Sequence, residues 1–137
     1  MNVTPPKTKS TNNVITRLKT LTQNIMETKE TRYPLSDLEE IVLSVLSKGR
    51  ELYGLQISKT IEAGSDGKLQ VGFGSLYPAL RRMEAKKFVT SHWDDTSADE
   101  RGGARRRYYQ ITATGVEALA EKKSIRAGID NYKPVLA

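Results

Sequence analysis

The chain has 137 residues, 37% hydrophobic and 28% charged, which supplies one small core and is too little for a large multidomain enzyme. Lys and Arg number 22 against 16 Asp and Glu, a formal charge of +6, so a polyanionic partner is expected, either nucleic acid or an anionic membrane surface. The absence of cysteine excludes disulfides, thiolate metal sites and Cys nucleophiles and fits a cytoplasmic protein. No apolar run approaches the roughly 20 residues that span a bilayer, so no span is expected, and of the two polyanions nucleic acid, and no membrane, is the partner expected from the motifs that follow. The opening MNVTPPKTKSTNN lacks the apolar centre of a secretory signal.

Residues 1–12 are polar, contain Pro5-Pro6 and read as a disordered arm. A helical extension over 13–31 follows. Asn13 is placed to cap it, and Val14, Leu18, Leu21 and Ile25 recur at spacings of four and three, a narrow seam suited to a helix pair. Beyond Pro34, Ser36 and Glu39 form a capping box. Leu38, Ile41, Val42, Val45 and Leu46 then share one helical face, and Gly49 stops the run. A second helix is predicted from Tyr53 to Ala63 on the repeat Tyr53, Ile57, Ile61, ended by Gly64 and a Ser65-Asp66-Gly67 turn. A third helix starts between Gly72 and Ser75 and runs to about Lys87. Ser75 is the favoured N-cap, because Pro78 then falls at the third helical position, where its missing N–H costs little; an earlier start would crowd the Gly74 carbonyl.

Phe88–Trp93 alternates as a strand, residues 94–103 form a polar loop, and Arg105–Ile111 reads as the returning strand of a hairpin. Thr114 and Glu117 form another capping box, opening a helix over 114–130 that carries Val116, Leu119, Ala120 and Ile125; residues 131–137 are a tail. No internal repeat is present. Three helices, a hairpin and a last helix are the order of a winged helix-turn-helix. The expected fold is mostly α with a β-hairpin (α+β), the winged domain covering 33–113 between the N-terminal extension and a C-terminal dimerisation helix.

On a helical wheel, Leu76, Leu80 and Met83 of the third helix face the core. The opposite side holds Gly74, Pro78, Arg81, Arg82 and Ala85, bordered by Ser75 and Tyr77. Small central residues let a helix seat deeply in a groove, Arg suits phosphate or guanine acceptors, and a helix N-terminus offers free N–H groups to phosphate. An ordinary solvated helix face has a similar composition. Arg105, Arg106 and Arg107 form a second basic element beside Gly102-Gly103, able to reach backbone or minor groove. Asp94, Asp95, Asp99 and Glu100 across the loop weaken a simple basic patch and are placed to pair with these arginines in the absence of DNA.

These residues resemble the PadR family of bacterial transcriptional regulators over roughly 34–121. The similarity lies in Leu38-Glu-Glu-Ile-Val-Leu-Ser-Val-Leu46, in Tyr53-Gly54, and most specifically in Gly74-Ser-Leu-Tyr-Pro-Ala-Leu-Arg-Arg-Met-Glu84. Arg107-Tyr-Tyr-Gln-Ile-Thr-Ala-Thr-Gly115 is similar to the family's second wing strand and the entry to its last helix. The sequence departs at Gly72-Phe73, where members often carry a capping Ser, and in its N-terminal extension. The resemblance implies a homodimeric winged-helix repressor paired through the C-terminal helix, with a small aromatic effector in some members. It implies Ser75, Tyr77 and Arg81 as recognition-helix contacts, with Arg82 next. Tyr53 and the wing residues Arg105, Arg106 and Arg107 complete the expected DNA-binding set. Tyr77 has two readings, a phosphate donor or a core-edge aromatic bridging to the wing, while Tyr108 and Tyr109 read as packing residues on the two strand faces.

His92, the only histidine, cannot build a multi-His metal site, and the loop acids lack EF-hand spacing, so no metal or other cofactor is expected. Gly72-x-Gly74 lacks the rest of a dinucleotide fingerprint, and Trp93 reads as a packed hairpin residue before an effector platform. No nucleophile–base pair stands out, so an enzyme is not expected. The sequence therefore reads as a DNA-binding regulator, without enzymatic activity, that engages a palindromic duplex as a homodimer. The dimer would form through Val14, Leu18, Leu21 and Ile25 together with Val116, Leu119 and Ile125. The rival is a winged-helix adaptor that binds protein and not DNA.

Overall fold

Ser36 closes the capping box that the sequence announces: its Oγ accepts from the Glu39 N–H at 3.1 Å, and the Glu39 carboxylate accepts from the Ser36 N–H at 2.8 Å. This starts helix α1, Asp37–Leu46, in a computed structural model that describes residues 32–95 and 105–137. The seam of Val14, Leu18, Leu21 and Ile25 and the hairpin tip at 96–104 lie outside the described residues. Strand β1 is Leu52–Tyr53, α2 is Gly54–Gly64, α3 is Phe73–Ala85, β2 is Val89–Trp93, β3 is Arg107–Ile111 and α4 is Ala113–Asp130.

The three helices before the hairpin bury one continuous core. Val42, Leu43 and Leu46 of α1, Ile57 of α2 and Leu76, Leu80 and Met83 of α3 are fully enclosed, joined by Phe88, Val89 and Tyr109 of the hairpin. Leu38, Ile41 and Val45, expected on the same face of α1, pack at its edge. Ala118 and Leu119 close the core from α4. The hairpin pairs β2 with β3 from Val89↔Ile111 to Trp93↔Arg107. The short β1, not anticipated from sequence, adds Leu52↔Tyr109 and Tyr53↔Tyr108 on the other side of β3, giving the antiparallel order β1-β3-β2. A two-residue strand is too short to show alternation.

Three local expectations are corrected. Helix α3 begins at Phe73 with Gly72 as N-cap, not at Ser75, and no side chain caps it. Pro78 therefore sits in the second turn, with the Gly74 carbonyl four residues before it. Helix α4 is capped by Thr112, whose Oγ1 accepts from the Gly115 N–H at 3.0 Å and donates to the Lys87 carbonyl at 2.7 Å; the Thr114–Glu117 box does not form. Glu117 instead accepts from the Tyr33 hydroxyl at 2.9 Å. Finally, α2 begins one residue after Tyr53, which serves as its N-cap, with the Gln56 side chain accepting from the Tyr53 N–H at 3.1 Å.

Candidate nucleic-acid interface

Burial divides α3 as its sequence implies. Leu76, Ala79, Leu80 and Met83 point inward, while Gly74, Ser75, Arg81, Arg82 and Ala85 are exposed and Pro78 is half-buried. Arg81 has no ion-pair partner among the described residues, so its guanidinium faces solvent with its donors unspent. Arg82 is different: its Nε lies 3.8 Å from Glu39 Oε2, although the side chain remains 52% exposed. The uncapped start of α3 leaves first-turn N–H groups without a side-chain acceptor beside Ser75.

Tyr77 follows its packing reading. The ring lies 5.5 Å from that of Phe73, and its hydroxyl end presses so closely on Gly54 that a β-carbon there would overlap it. This contact gives Tyr53-Gly54 a physical meaning: glycine as the first residue of α2 leaves room for the Tyr77 hydroxyl, which would have to shift for a larger residue. Across from Tyr77 stands the wing. Phe73, Tyr77, Leu55, Trp93 and the three arginines 105–107 line a shared hollow of about 290 Å³, so the N-terminal half of α3 and the basic strand meet on one side of the molecule.

The arginines are held differently. Arg105 lies over the Trp93 ring at 5.3 Å and Arg106 over the Tyr53 ring at 4.6 Å, both charges presented on aromatic faces. Tyr53 is braced by Tyr108, edge-on at 5.5 Å, and Tyr108 stacks with His92 at 5.8 Å. Arg107 shares the Trp93 ring with Arg105, at 5.1 Å, but is also tied to the domain: its Nε donates to Ser91 Oγ at 2.9 Å and its Nη2 is 3.7 Å from Glu84 Oε2. No acid of the described part of the loop holds it; the partner comes from α3. Tyr109, buried in the core, has its phenol pushed up by that burial, against the pull of Arg107.

Three known structures are similar to this chain in fold. The chain is similar to a PadR family transcription regulator from Clostridium difficile, at 29% identity and a TM-score of 0.57, over 69% of this chain and 92% of that one. It is similar to a transcriptional regulator from Clostridium thermocellum, at 27% identity and 0.56, over 70% and 92%. The third is a PadR-like transcriptional regulator from Bacillus cereus, at 31% identity and 0.54, over 68% and 84%. An uncharacterised protein of Lysinibacillus sphaericus is 30% identical over 84 residues, 61% of this chain and 72% of that protein. The transcriptional regulator PadR-like family model matches residues 42–121, more than half of the chain. The chain belongs to the PadR-like family.

This PadR-like transcription regulator thus has a winged helix-turn-helix fold, in which sequence had marked the exposed residues of α3 and the wing arginines. Sequence reasoning missed what fixes those elements. Glu39 is 2% exposed, and Lys86 Nζ donates to both its oxygens at 3.2 and 3.3 Å, tying the start of α1 to the end of α3. Burial pushes the Glu39 carboxyl up, but the Ser36 N–H and Lys86 outweigh it and hold the group below the ordinary 4.5. The capping box was the signal for Glu39; nothing local points to Lys86. Leu119, expected on a dimer stripe, is 6% exposed and belongs to its own domain's core, because it lies on the same side of α4 as Ala118 and Gly115. Val116 and Ile125 remain 51% and 41% exposed. Among the described residues no helix is long and apolar enough to cross a membrane, and no cluster of His, Asp and Glu could hold a metal ion.

Proposed function

We propose that this PadR-like regulator is a sequence-specific, double-stranded DNA-binding repressor that acts in the cytoplasm as a homodimer on a palindromic operator. The observation that carries the reading is the meeting of the N-terminal half of α3, through Phe73 and Tyr77, with the arginine-bearing wing on one side of the domain. Ser75, Arg81 and the edge of Tyr77 face the major groove, with Arg82 at its border. Arg105 and Arg106, held over Trp93 and Tyr53, meet the flanking backbone or minor groove. Two recognition helices about one DNA turn apart, roughly 34 Å, read the two half-sites.

Pairing through α4 and the tail is supported by their exposed apolar residues. Ile125, Ile129, Tyr132 and Val135 surround an open hollow, a surface too apolar to be left to water. The seam at 14–25 supplies a further stripe in this proposal, tested by replacing Leu18 and Leu21 with Ser and measuring dimer affinity. A small aromatic effector, seated where the dimer brings exposed aromatics together, would release the duplex.

The DNA reading is tested by titrating labelled duplexes selected from a random pool. Arg81→Ala weakens selected duplexes by about 1–3 kcal/mol and leaves scrambled ones nearly unchanged. Arg105→Ala weakens both equally and flattens the salt dependence. Unchanged affinity in both variants contradicts the docking. Absence of any salt-dependent duplex affinity in the unmodified protein replaces this reading with the protein-binding adaptor.

A further inference from the structure

Glu84 sits on α3 at the edge that meets the wing, half-buried and away from the outer face. Its Oε2 accepts from Ser91 Oγ of β2 at 2.5 Å and lies 3.7 Å from Arg107 Nη2 of β3. Ser91 Oγ also accepts from Arg107 Nε at 2.9 Å, so one hydroxyl bridges the carboxylate and the guanidinium. The guanidinium lies over the Trp93 ring at 5.1 Å. The neighbours differ. Arg105 and Arg106 rest on aromatic rings and have no acidic partner among the described residues. Of three consecutive arginines, one is neutralised from within the domain by a carboxylate on the recognition helix.

We propose that Glu84 is a specificity-determining positioning residue: bridged by Ser91, it withholds Arg107 from the DNA backbone and fixes the wing against α3. The proposal rests on the DNA-binding reading above. Sequence-independent affinity rises with the number of phosphates that Lys and Arg neutralise. A guanidinium already paired inside the protein adds nothing to that number. Discrimination requires that α3 enter the groove in one register, which a wing clasped to it enforces. Releasing Arg107 adds one phosphate contact on any sequence while loosening the register. The variant therefore binds non-cognate DNA more tightly and discriminates less. A residue with a merely structural role, once removed, weakens all binding instead.

The test uses the full chain, a selected operator duplex and a scrambled duplex of equal length, titrated between 50 and 200 mM salt (roughly the range in which phosphate contacts dominate). Glu84→Gln is expected to raise affinity for the scrambled duplex by about threefold to tenfold. It should steepen the salt slope by about 0.9 for each protomer bound and lower the operator-to-scrambled ratio. Adding Arg107→Ala to Glu84→Gln cancels the gain, whereas Arg107→Ala alone leaves the slope of the unmodified protein in place. Trp93, the only tryptophan, reports the departure of Arg107 as a fluorescence change in Glu84→Gln. If Glu84→Gln does not fold, the Arg107→Ala single variant decides alone. A slope reduced by about one contact would mean that Arg107 already touches phosphate, and the proposal would be wrong. An unmodified protein that binds operator, with variants that change neither slope nor scrambled affinity, overturns this inference only. An unmodified protein with no duplex affinity overturns the DNA reading and this inference with it.

Discussion

A β-carbon at Gly115 would run into the carbonyl oxygen of Phe88, a backbone atom with no freedom to yield. The Thr112 N–H donates to that same carbonyl at 3.0 Å, drawing the start of α4 onto the residue that precedes β2. Gly115→Ala should therefore cost about 1–3 kcal/mol, read as a lower melting temperature with unchanged secondary structure. Stability equal to the unmodified protein would refute the contact. On the wing, His92 Nε2 lies 2.9 Å from Glu51 Oε2, and this hydrogen bond, then that to the Trp93 carbonyl, holds the imidazole above its ordinary 6.5. A raised folded value means that the stabilisation is fully present below about pH 6.5 and is lost as pH rises through the folded midpoint. An NMR titration of the single histidine should give a midpoint above 6.5, lowered by Glu51→Gln. A midpoint at or below 6.5 in the unmodified protein would contradict the pair. Neither feature is legible in sequence, since each joins residues at least 24 positions apart. What could be read was residue type on a periodic face, which is how Arg81 and Ser75 were found.

At the scale of elements, the sequence was most readable where one residue both caps and signals, as in Ser36-x-x-Glu39. It was least readable at the ends of α3. The start was left open between Gly72 and Ser75, with Ser75 favoured, because Gly72 caps without a side chain. The stop was hidden because a lysine occupies the position that glycine usually takes. Lys87 adopts φ 65°, its N–H donates to the Glu84 carbonyl at 3.0 Å, and the Phe88 N–H donates to the Met83 carbonyl at 2.8 Å. Phe88 and Met83, the positions whose side chains accompany such a stop, both belong to the core. The left-handed backbone costs a residue with a side chain about 1 kcal/mol or more. Lys87→Gly should therefore stabilise the domain by about 0.5–1 kcal/mol and raise the melting temperature by a few degrees. A destabilised variant would show that the Lys87 side chain contributes more than its backbone strain costs.

For the domain as a whole, the order of helices and hairpin was legible because hydrophobic period and turn residues change together along the chain. The core was less so. The sequence put Leu119 on a stripe that begins in the core and continues outward to a partner; Leu119 lies at the core end of it, and the exposed apolar surface lies further along α4 and into the tail. Ile125→Ser with Ile129→Ser should therefore leave the fold intact, by circular dichroism and melting, while sedimentation shows a weakened dimer. A double variant as dimeric as the unmodified protein at low micromolar concentration would exclude this surface from the pairing. Loss of the dimer should also lower operator affinity, since binding through two linked heads exceeds that of either alone. If α3 and the wing together read DNA, as proposed, binding of the unmodified protein to its selected duplex at rising salt shows it most directly. Two protomers should bind each palindromic duplex. The logarithm of the association constant should fall linearly with the logarithm of salt concentration, by about 0.9 per phosphate contacted. Affinity that is absent at low salt, or that does not change with salt, would contradict it.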